Sequence, residues 1–128
     1  MPSIGCTVIA LLEADPAVRT AASLLLESRG IQVVAGATGS ALAELIVASG
    51  VQPALIVADY RLGPKTAFEE VPKVVAASGA NAVVIVASGR ISPEARAQIE
   101  ARGWRLLMKP YGPEELFSSI DGPPKEFA

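Results

Sequence analysis

Four side chains that can take part in chemistry each follow directly after a short run of aliphatic residues. They are two carboxylates, a hydroxyl and an amine, at Glu13, Asp59, Ser88 and Lys109. A carboxylate can act as a nucleophile or bind a hard cation, and a lysine ammonium can pair with an anion. The chain contains no histidine, which excludes Ser-His-Asp and Cys-His catalysis and histidine-ligated zinc. Any metal that these groups bind should be a hard, oxygen-preferring cation.

The aliphatic runs that precede these residues are predicted to be strands of a parallel sheet. Most are continuously apolar rather than alternating, as in strands covered on both faces; the runs are 7–12, 31–35, 54–58, 82–87 and 105–108. Helix signals separate them, such as the cap-then-proline pairs Asp15-Pro16 and Ser92-Pro93. This alternation predicts an α/β fold with a doubly wound five-stranded parallel sheet in the order 2-1-3-4-5. Helices 1 and 5 should cover one face, and helices 2, 3 and 4 the other.

The predicted topology brings the four chemical side chains to one edge of the sheet. Each of them ends a different strand, and ligands of open α/β sheets bind beyond the carboxyl ends of the strands. The third helix carries two conflicting sequence signals. Thr66 and Glu69 have capping-box spacing, but Pro72 would fall in the second turn. The helix should therefore either begin later or kink at Pro72.

Composition and charge narrow the class of protein. The chain has 128 residues, of which 51% are hydrophobic and 19% charged, as expected for one domain with its own core. A net charge of −2 gives no general attraction to nucleic acid or to anionic membranes. No apolar run approaches the roughly 18 residues of a membrane span, and the start lacks the basic region of a signal peptide. With a single cysteine, Cys6, no internal disulfide can form, and we predict a cytoplasmic protein.

Four stretches in order along the chain resemble the receiver domain of two-component response regulators, the CheY-like (βα)5 fold of flavodoxin type. They are LLEADPAVR, LIVADYRL, VIVASGR and LLMKPYGPEEL. The resemblance covers residues 6–120 and leaves 121–128 as a C-terminal tail or the start of a linker. It implies that Asp59 accepts a phosphoryl group from a histidine kinase or a phosphotransfer protein. Lys109 would pair with one phosphoryl oxygen and Ser88 would hydrogen-bond another, and the lysine–proline bond after Lys109 would be cis.

The resemblance also implies a magnesium ion, but one of its ligands is missing. Receiver domains carry two adjacent acids after the first strand, and here the pair reads Glu13-Ala14. Asp15 is expected to cap the first helix. Metal ligation would then rest on Glu13, Asp59 and the backbone carbonyl of Arg61, so we expect weak magnesium binding. Such a protein is not an enzyme beyond catalysing its own phosphorylation and dephosphorylation.

A second departure concerns the signalling surface. Leu106 stands where receivers usually carry Tyr or Phe, so any readout should use another residue, such as Tyr111. Receivers commonly bind a downstream protein, or a second copy of themselves, through helix 4, strand 5 and helix 5. That region holds arginines and aromatic residues of the kind enriched at interfaces, namely Arg96, Arg102, Trp104, Arg105 and Tyr111.

Two other interpretations of the sequence compete with a phosphorylated receiver. Ala14 and Leu106 also suit a pseudo-receiver, which keeps the fold as a protein-binding module that never needs phosphate. The stretch 36–40, GATGS, superficially resembles a phosphate-binding loop. It follows the second strand rather than the first and lacks the remaining fingerprint, so we interpret it as an ordinary turn.

Overall fold

The structure, a computed structural model, describes residues 7–79 and 81–121. Cys6 and residues 122–128 of the predicted tail lie outside the described residues. The strands are β1 (Val8–Leu12), β2 (Gln32–Gly36), β3 (Leu55–Asp59), β4 (Arg61–Leu62), β5 (Lys65–Thr66), β6 (Val83–Ser88) and β7 (Arg105–Met108). The helices are α1 (Pro16–Glu27), α2 (Gly39–Ser49), α3 (Ala67–Ser78), α4 (Pro93–Ala101) and α5 (Pro113–Asp121). Asp121 therefore belongs to α5 rather than to a tail.

Five of the strands form one parallel sheet. Their order is β2-β1-β3-β6-β7, and every neighbouring pair is parallel. Once the short strands β4 and β5 are set aside, this is the predicted 2-1-3-4-5 order. β4 and β5 form a separate antiparallel ribbon. Gly63 makes its tight turn possible by adopting a positive φ of 67°.

The sheet separates two hydrophobic clusters, because successive strand residues point to opposite faces. Ala10 and Leu12 of β1 pack with residues of α2, α3 and α4. Ile9 and Leu11 of the same strand pack with residues of α1 and α5. The predicted distribution of helices over the two faces is therefore confirmed. No helix in the described part of the chain is long and apolar enough to cross a membrane.

Helix α3 begins at Ala67, directly after Thr66, so the prediction of a later start is wrong, and the helix runs through Pro72. Glu69 accepts a hydrogen bond from the backbone N–H of Thr66 at 3.0 Å, as the capping-box spacing predicts. Pro72 lies inside the helix. It has no N–H to donate to the carbonyl of Phe68, which costs one helical hydrogen bond but does not end the helix.

A buried carboxylate joins α3 to the start of α2. Glu70, which is 3% exposed, accepts a hydrogen bond from the backbone N–H of Gly39 at 2.8 Å and one from the ammonium of Lys73 at 3.0 Å. Burial alone would raise the pKa of Glu70, but the Gly39 N–H and the charges of Lys73 and Lys65 outweigh it and lower that pKa. A carboxylate thus takes the position that an anion would need at this helix N-terminus. The GATGS stretch is therefore a turn with an internal anion, not a phosphate loop.

Candidate functional site

The carboxyl ends of β3, β6 and β7 are joined edge to edge. Asp59 pairs in register with Ala87, and Ser88 with Met108. Beyond the strands, the backbone N–H of Tyr60 donates to the carbonyl of Ala87 at 2.8 Å. The N–H of Lys109 donates to the carbonyl of Ser88 at 2.9 Å. Asp59, Ser88 and Lys109 therefore lie at one edge, as the sequence predicted.

Asp59 and Lys109 form the closest ion pair at this edge. The Lys109 Nζ lies 2.6 Å from Oδ1 of Asp59. The Asp59 side chain is 15% exposed and that of Lys109 34% exposed, so both remain accessible to a small ligand. The Lys109–Pro110 peptide bond is cis, as the resemblance implied. A carboxylate and a cation able to pair with a bound anion thus lie side by side.

The environment of Lys109 keeps its side chain charged. Burial would lower the pKa of Lys109, but the hydrogen bond and charge of Asp59, with a contribution from Glu13, raise it above its ordinary value. Nearby Tyr111 is half-buried, and burial raises the pKa of its hydroxyl. Lys109 therefore stays an ammonium and Tyr111 a neutral phenol at neutral pH.

Glu13 supplies the second carboxylate of the site from the loop after β1. Glu13 is 8% exposed, and its Oε2 accepts a hydrogen bond from the backbone N–H of Asp15 at 3.1 Å. The guanidinium of Arg19 fixes the same loop by donating to the carbonyl of Glu13 at 2.8 Å. Burial raises the pKa of Glu13, and the nearby charge of Asp59 adds to the effect, against the lowering influence of the Asp15 N–H and of Lys109.

The residues of the site fit magnesium only in part. Asp15 caps α1 by accepting the N–H groups of Ala17 and Val18 at 2.9 and 3.2 Å, as expected, and the methyl group of Ala14 offers no ligand. No group of three His, Cys, Asp or Glu side chains within residues 7–79 and 81–121 could hold a metal ion. The remaining oxygen donors are the carboxylates of Glu13 and Asp59, each already hydrogen-bonded, and the backbone carbonyl of Arg61, two residues beyond Asp59. This donor set is incomplete for a cation that demands octahedral oxygen ligation.

Ser88 lies at the edge but its hydroxyl engages the following loop. The residue is 4% exposed, and its Oγ donates to the carbonyl of Arg90 at 2.6 Å. This hydrogen bond satisfies a buried hydroxyl and holds the backbone of Arg90 close to the end of β6. The structure therefore brings Asp59 and Lys109 into direct contact, with Ser88 beside them.

A chain of aromatic rings begins next to Asp59 and was not foreseen from the sequence. The ring of Tyr60 meets that of Phe68 edge-on at 5.7 Å, and Phe68 stacks on Trp104 at 6.0 Å. The guanidinium of Arg102 lies 4.9 Å from the centre of the Phe68 ring and 5.1 Å from that of Trp104. Because Trp104 is the only tryptophan, its fluorescence reports on this cluster.

Leu106 lies on the same face of the sheet as this aromatic chain, whereas Tyr111 lies on the opposite face. Leu106 packs in the same cluster as Trp104 and Phe68, on the face that α2, α3 and α4 cover. Tyr111 packs in the cluster on the opposite face, with α1 and α5. A readout through Tyr111 in place of the ring missing at Leu106 therefore has no support in the packing.

Comparison with solved structures identifies the fold. The chemotaxis protein CheY4 of Vibrio cholerae aligns with a TM-score of 0.78 and 22% identity over 90% of this chain and 96% of that chain. A CheY-like receiver domain protein of Methanospirillum hungatei JF-1 aligns with the same score and identity, over 90% of each chain. The receiver domain of the hybrid histidine kinase CckA aligns with a TM-score of 0.71 and 23% identity, over 89% of this chain and 95% of that one. No family model and no curated protein sequence matches the chain. The chain has the fold of CheY-like response-regulator receiver domains.

Proposed function

We propose that the chain is a phosphoacceptor receiver domain that takes a phosphoryl group on Asp59 from a histidine kinase or a phosphotransfer protein. The observation that carries the proposal is the Asp59–Lys109 pair, with Nζ and Oδ1 2.6 Å apart at the carboxyl edge of the sheet. This is the edge where open α/β sheets bind ligands. Proteins with the same fold are described as response-regulator receivers and a chemotaxis protein. A cytoplasmic location belongs to the same proposal.

The proposed transfer uses the groups in the following way. A carboxylate oxygen of Asp59 attacks the phosphorus, a new P–O bond forms, and the bond between phosphorus and the donor's leaving atom breaks. The electron pair of the broken bond stays with the leaving group. Lys109 moves its hydrogen bond from the carboxylate to a phosphoryl oxygen and stabilises the charge that gathers there. The Ser88 hydroxyl leaves the carbonyl of Arg90 and donates to another phosphoryl oxygen.

Magnesium enters this proposal as a weakly bound ion. Glu13, Asp59 and the carbonyl of Arg61 would hold it, and it would neutralise part of the phosphoryl charge. Two carboxylates beside the Lys109 ammonium give the site a net charge of only about −1, so the electrostatic attraction for a divalent cation is small.

Restoring the missing acid should strengthen the metal site. The variant Ala14→Asp adds a carboxylate next to Glu13 and should tighten magnesium binding by about tenfold, measured by calorimetry. Ala14→Asn is the matched control, since it adds a side-chain oxygen without the charge and should change the affinity much less. Equal affinities in wild type and Ala14→Asp would mean that Glu13 or Asp15 already supplies the ligand.

The proposed function is tested by incubating the intact chain with acetyl phosphate and magnesium and measuring its mass. We expect a species heavier by one phosphoryl group, and we expect it to decay over time because acyl phosphates hydrolyse. A chain whose mass stays unchanged at saturating donor, while another receiver is labelled in parallel, would contradict phosphorylation.

We further propose that a downstream protein or a second copy of the chain binds the surface formed by α4, β7 and α5. Arg105 is already occupied there, because its guanidinium donates to the carbonyl of Ser119 at 2.7 Å. Trp104 is packed in the aromatic cluster. Residues exposed on this surface include Met108, which is 41% exposed, and Arg96 beside it, with Nη2 3.9 Å from the Met108 sulfur. Arg96→Glu combined with Met108→Glu should weaken the association measured by sedimentation of the phosphorylated chain; unchanged association would exclude this surface.

A pseudo-receiver remains the second candidate function. Ala14 removes a metal ligand, and Leu106 removes the ring that receivers usually carry. A pseudo-receiver binds its partner equally well as wild type and as Asp59→Asn, and it is not labelled by acetyl phosphate. Both measurements together separate the two functions.

A further inference from the structure

A cavity of about 350 Å³ opens beside the end of β3. Two short segments line the cavity. Residues Tyr60 and Arg61 follow Asp59 in the chain, and residues 90–92 follow the end of β6. Because β3 and β6 are neighbours in the sheet, the two loops that line the cavity lie side by side. The cavity is thus adjacent to the proposed phosphoacceptor but distinct from the Asp59–Lys109 contact.

Two arginines without partners line this cavity. Arg61 and Arg90 are both exposed, and within residues 7–79 and 81–121 neither guanidinium takes part in an ion pair or a side-chain hydrogen bond. Each lies two residues beyond a site residue, Arg61 after Asp59 and Arg90 after Ser88. The hydrogen bond from the Ser88 hydroxyl to the Arg90 carbonyl, at 2.6 Å, ties the second arginine's backbone to the site.

The arginines reverse the charge of the region. Glu13 and Asp59 carry two negative charges, and Lys109 carries one positive charge. Adding Arg61 and Arg90 changes the sum from about −1 to about +1. The two arginines therefore offset part of the attraction of the carboxylates for a divalent cation and favour a phosphoryl dianion, and guanidinium groups bind phosphate oxygens in pairs.

We propose that the Arg61–Arg90 cavity is a subsite for the phosphoryl dianion of the phosphodonor, holding it beside Asp59 before transfer. The inference rests on the proposed function and deepens it, because it assigns donor capture to two side chains rather than to a tightly held metal. The phosphoryl group is common to small acyl phosphates and to phosphohistidine, so the subsite serves both kinds of donor. The rate of phosphorylation should accordingly change little with magnesium concentration.

The first arm of the test measures binding without any transfer. Inorganic phosphate is titrated into the magnesium-free chain, and the backbone amides are followed by NMR. We expect shifts at residues 60–62 and 90–92, with affinity about tenfold weaker in the double variant Arg61→Gln/Arg90→Gln. Lys65→Gln is the control for loss of a nearby positive charge, since Lys65 is exposed on the adjacent ribbon but does not line the cavity. Equal affinities in the double variant and the wild type, or shifts confined to other residues, would overturn the subsite.

The second arm measures the rate of labelling with acetyl phosphate and with a phosphohistidine-containing protein. In the folded double variant we expect kcat/KM to fall about tenfold, mainly through KM, with little change in Lys65→Gln. A loss with both donors assigns the subsite to the phosphoryl group itself, and a loss with acetyl phosphate alone restricts it to small donors. If no variant is labelled, the proposed function fails and the phosphate titration still decides the subsite. If all are labelled equally and bind phosphate equally, only the subsite fails.

Discussion

Asp59→Asn should abolish labelling of the chain by acetyl phosphate. The amide has nearly the shape of the carboxylate but lacks its nucleophilic oxygen, so no acyl phosphate can form at residue 59. Lys109, 2.6 Å from Asp59 in the wild type, keeps Glu13 as a neighbouring charge, so the variant should fold. Intact-mass measurement before and after incubation with donor reads the result directly.

The control for this variant lies in the same part of the structure. Asp15→Asn makes the same acid-to-amide change near the site, and asparagine caps helices as well as aspartate does. Since Asp15 already serves as the cap of α1, this variant should be labelled like the wild type. If labelling survives in Asp59→Asn and disappears in Asp15→Asn, the nucleophile is Asp15 and the proposed role of Asp59 is wrong.

Lys109→Met should slow phosphorylation by about a hundredfold while leaving Asp59 in place. Methionine preserves much of the apolar stem, but it removes the donor that would stabilise charge on the phosphoryl group, and loss of one such donor typically costs a factor of this size. Removing Lys109 also removes a charge that lowers the pKa of Glu13, so that pKa, already above its ordinary value, should rise further. Single-turnover labelling and carboxyl NMR measure the two effects.

Lys109→Arg is the matched control for that prediction. It keeps the positive charge near Asp59 but changes the geometry of the donor, so its rate should lie between those of Lys109→Met and the wild type. A Lys109→Met variant that is labelled at the wild-type rate would show that the 2.6 Å pair has only a structural role.

The fold could be predicted because its determinants are local in the sequence. Runs such as Leu55–Ala58 are continuously apolar, and the structure buries each of these residues on one face or the other. The cap-and-proline pairs also set where α1 and α4 begin. Since Glu13, Asp59, Ser88 and Lys109 directly follow such runs, their placement at one edge follows from the topology alone.

The features that escaped prediction depend on contacts between residues far apart in the chain. Glu70 and Gly39 are 31 positions apart, and no sequence pattern predicts that a buried carboxylate will accept a hydrogen bond from the N-terminus of α2. The stacking of Phe68 on Trp104 depends in the same way on how α3 and β7 pack. Arg61 and Arg90 look like ordinary surface charges until β3 and β6 bring their loops together.

The central claim, that Asp59 is the nucleophile, is tested most directly by trapping the product. Borohydride reduces an acyl phosphate to the alcohol, so phosphorylated aspartate becomes homoserine, which peptide mass spectrometry locates within the chain. After treatment with acetyl phosphate, our account predicts homoserine at residue 59 and at no other aspartate. Homoserine at Asp15, a reduced product at Glu13, or no reduced residue in a chain that has gained a phosphoryl group would contradict it.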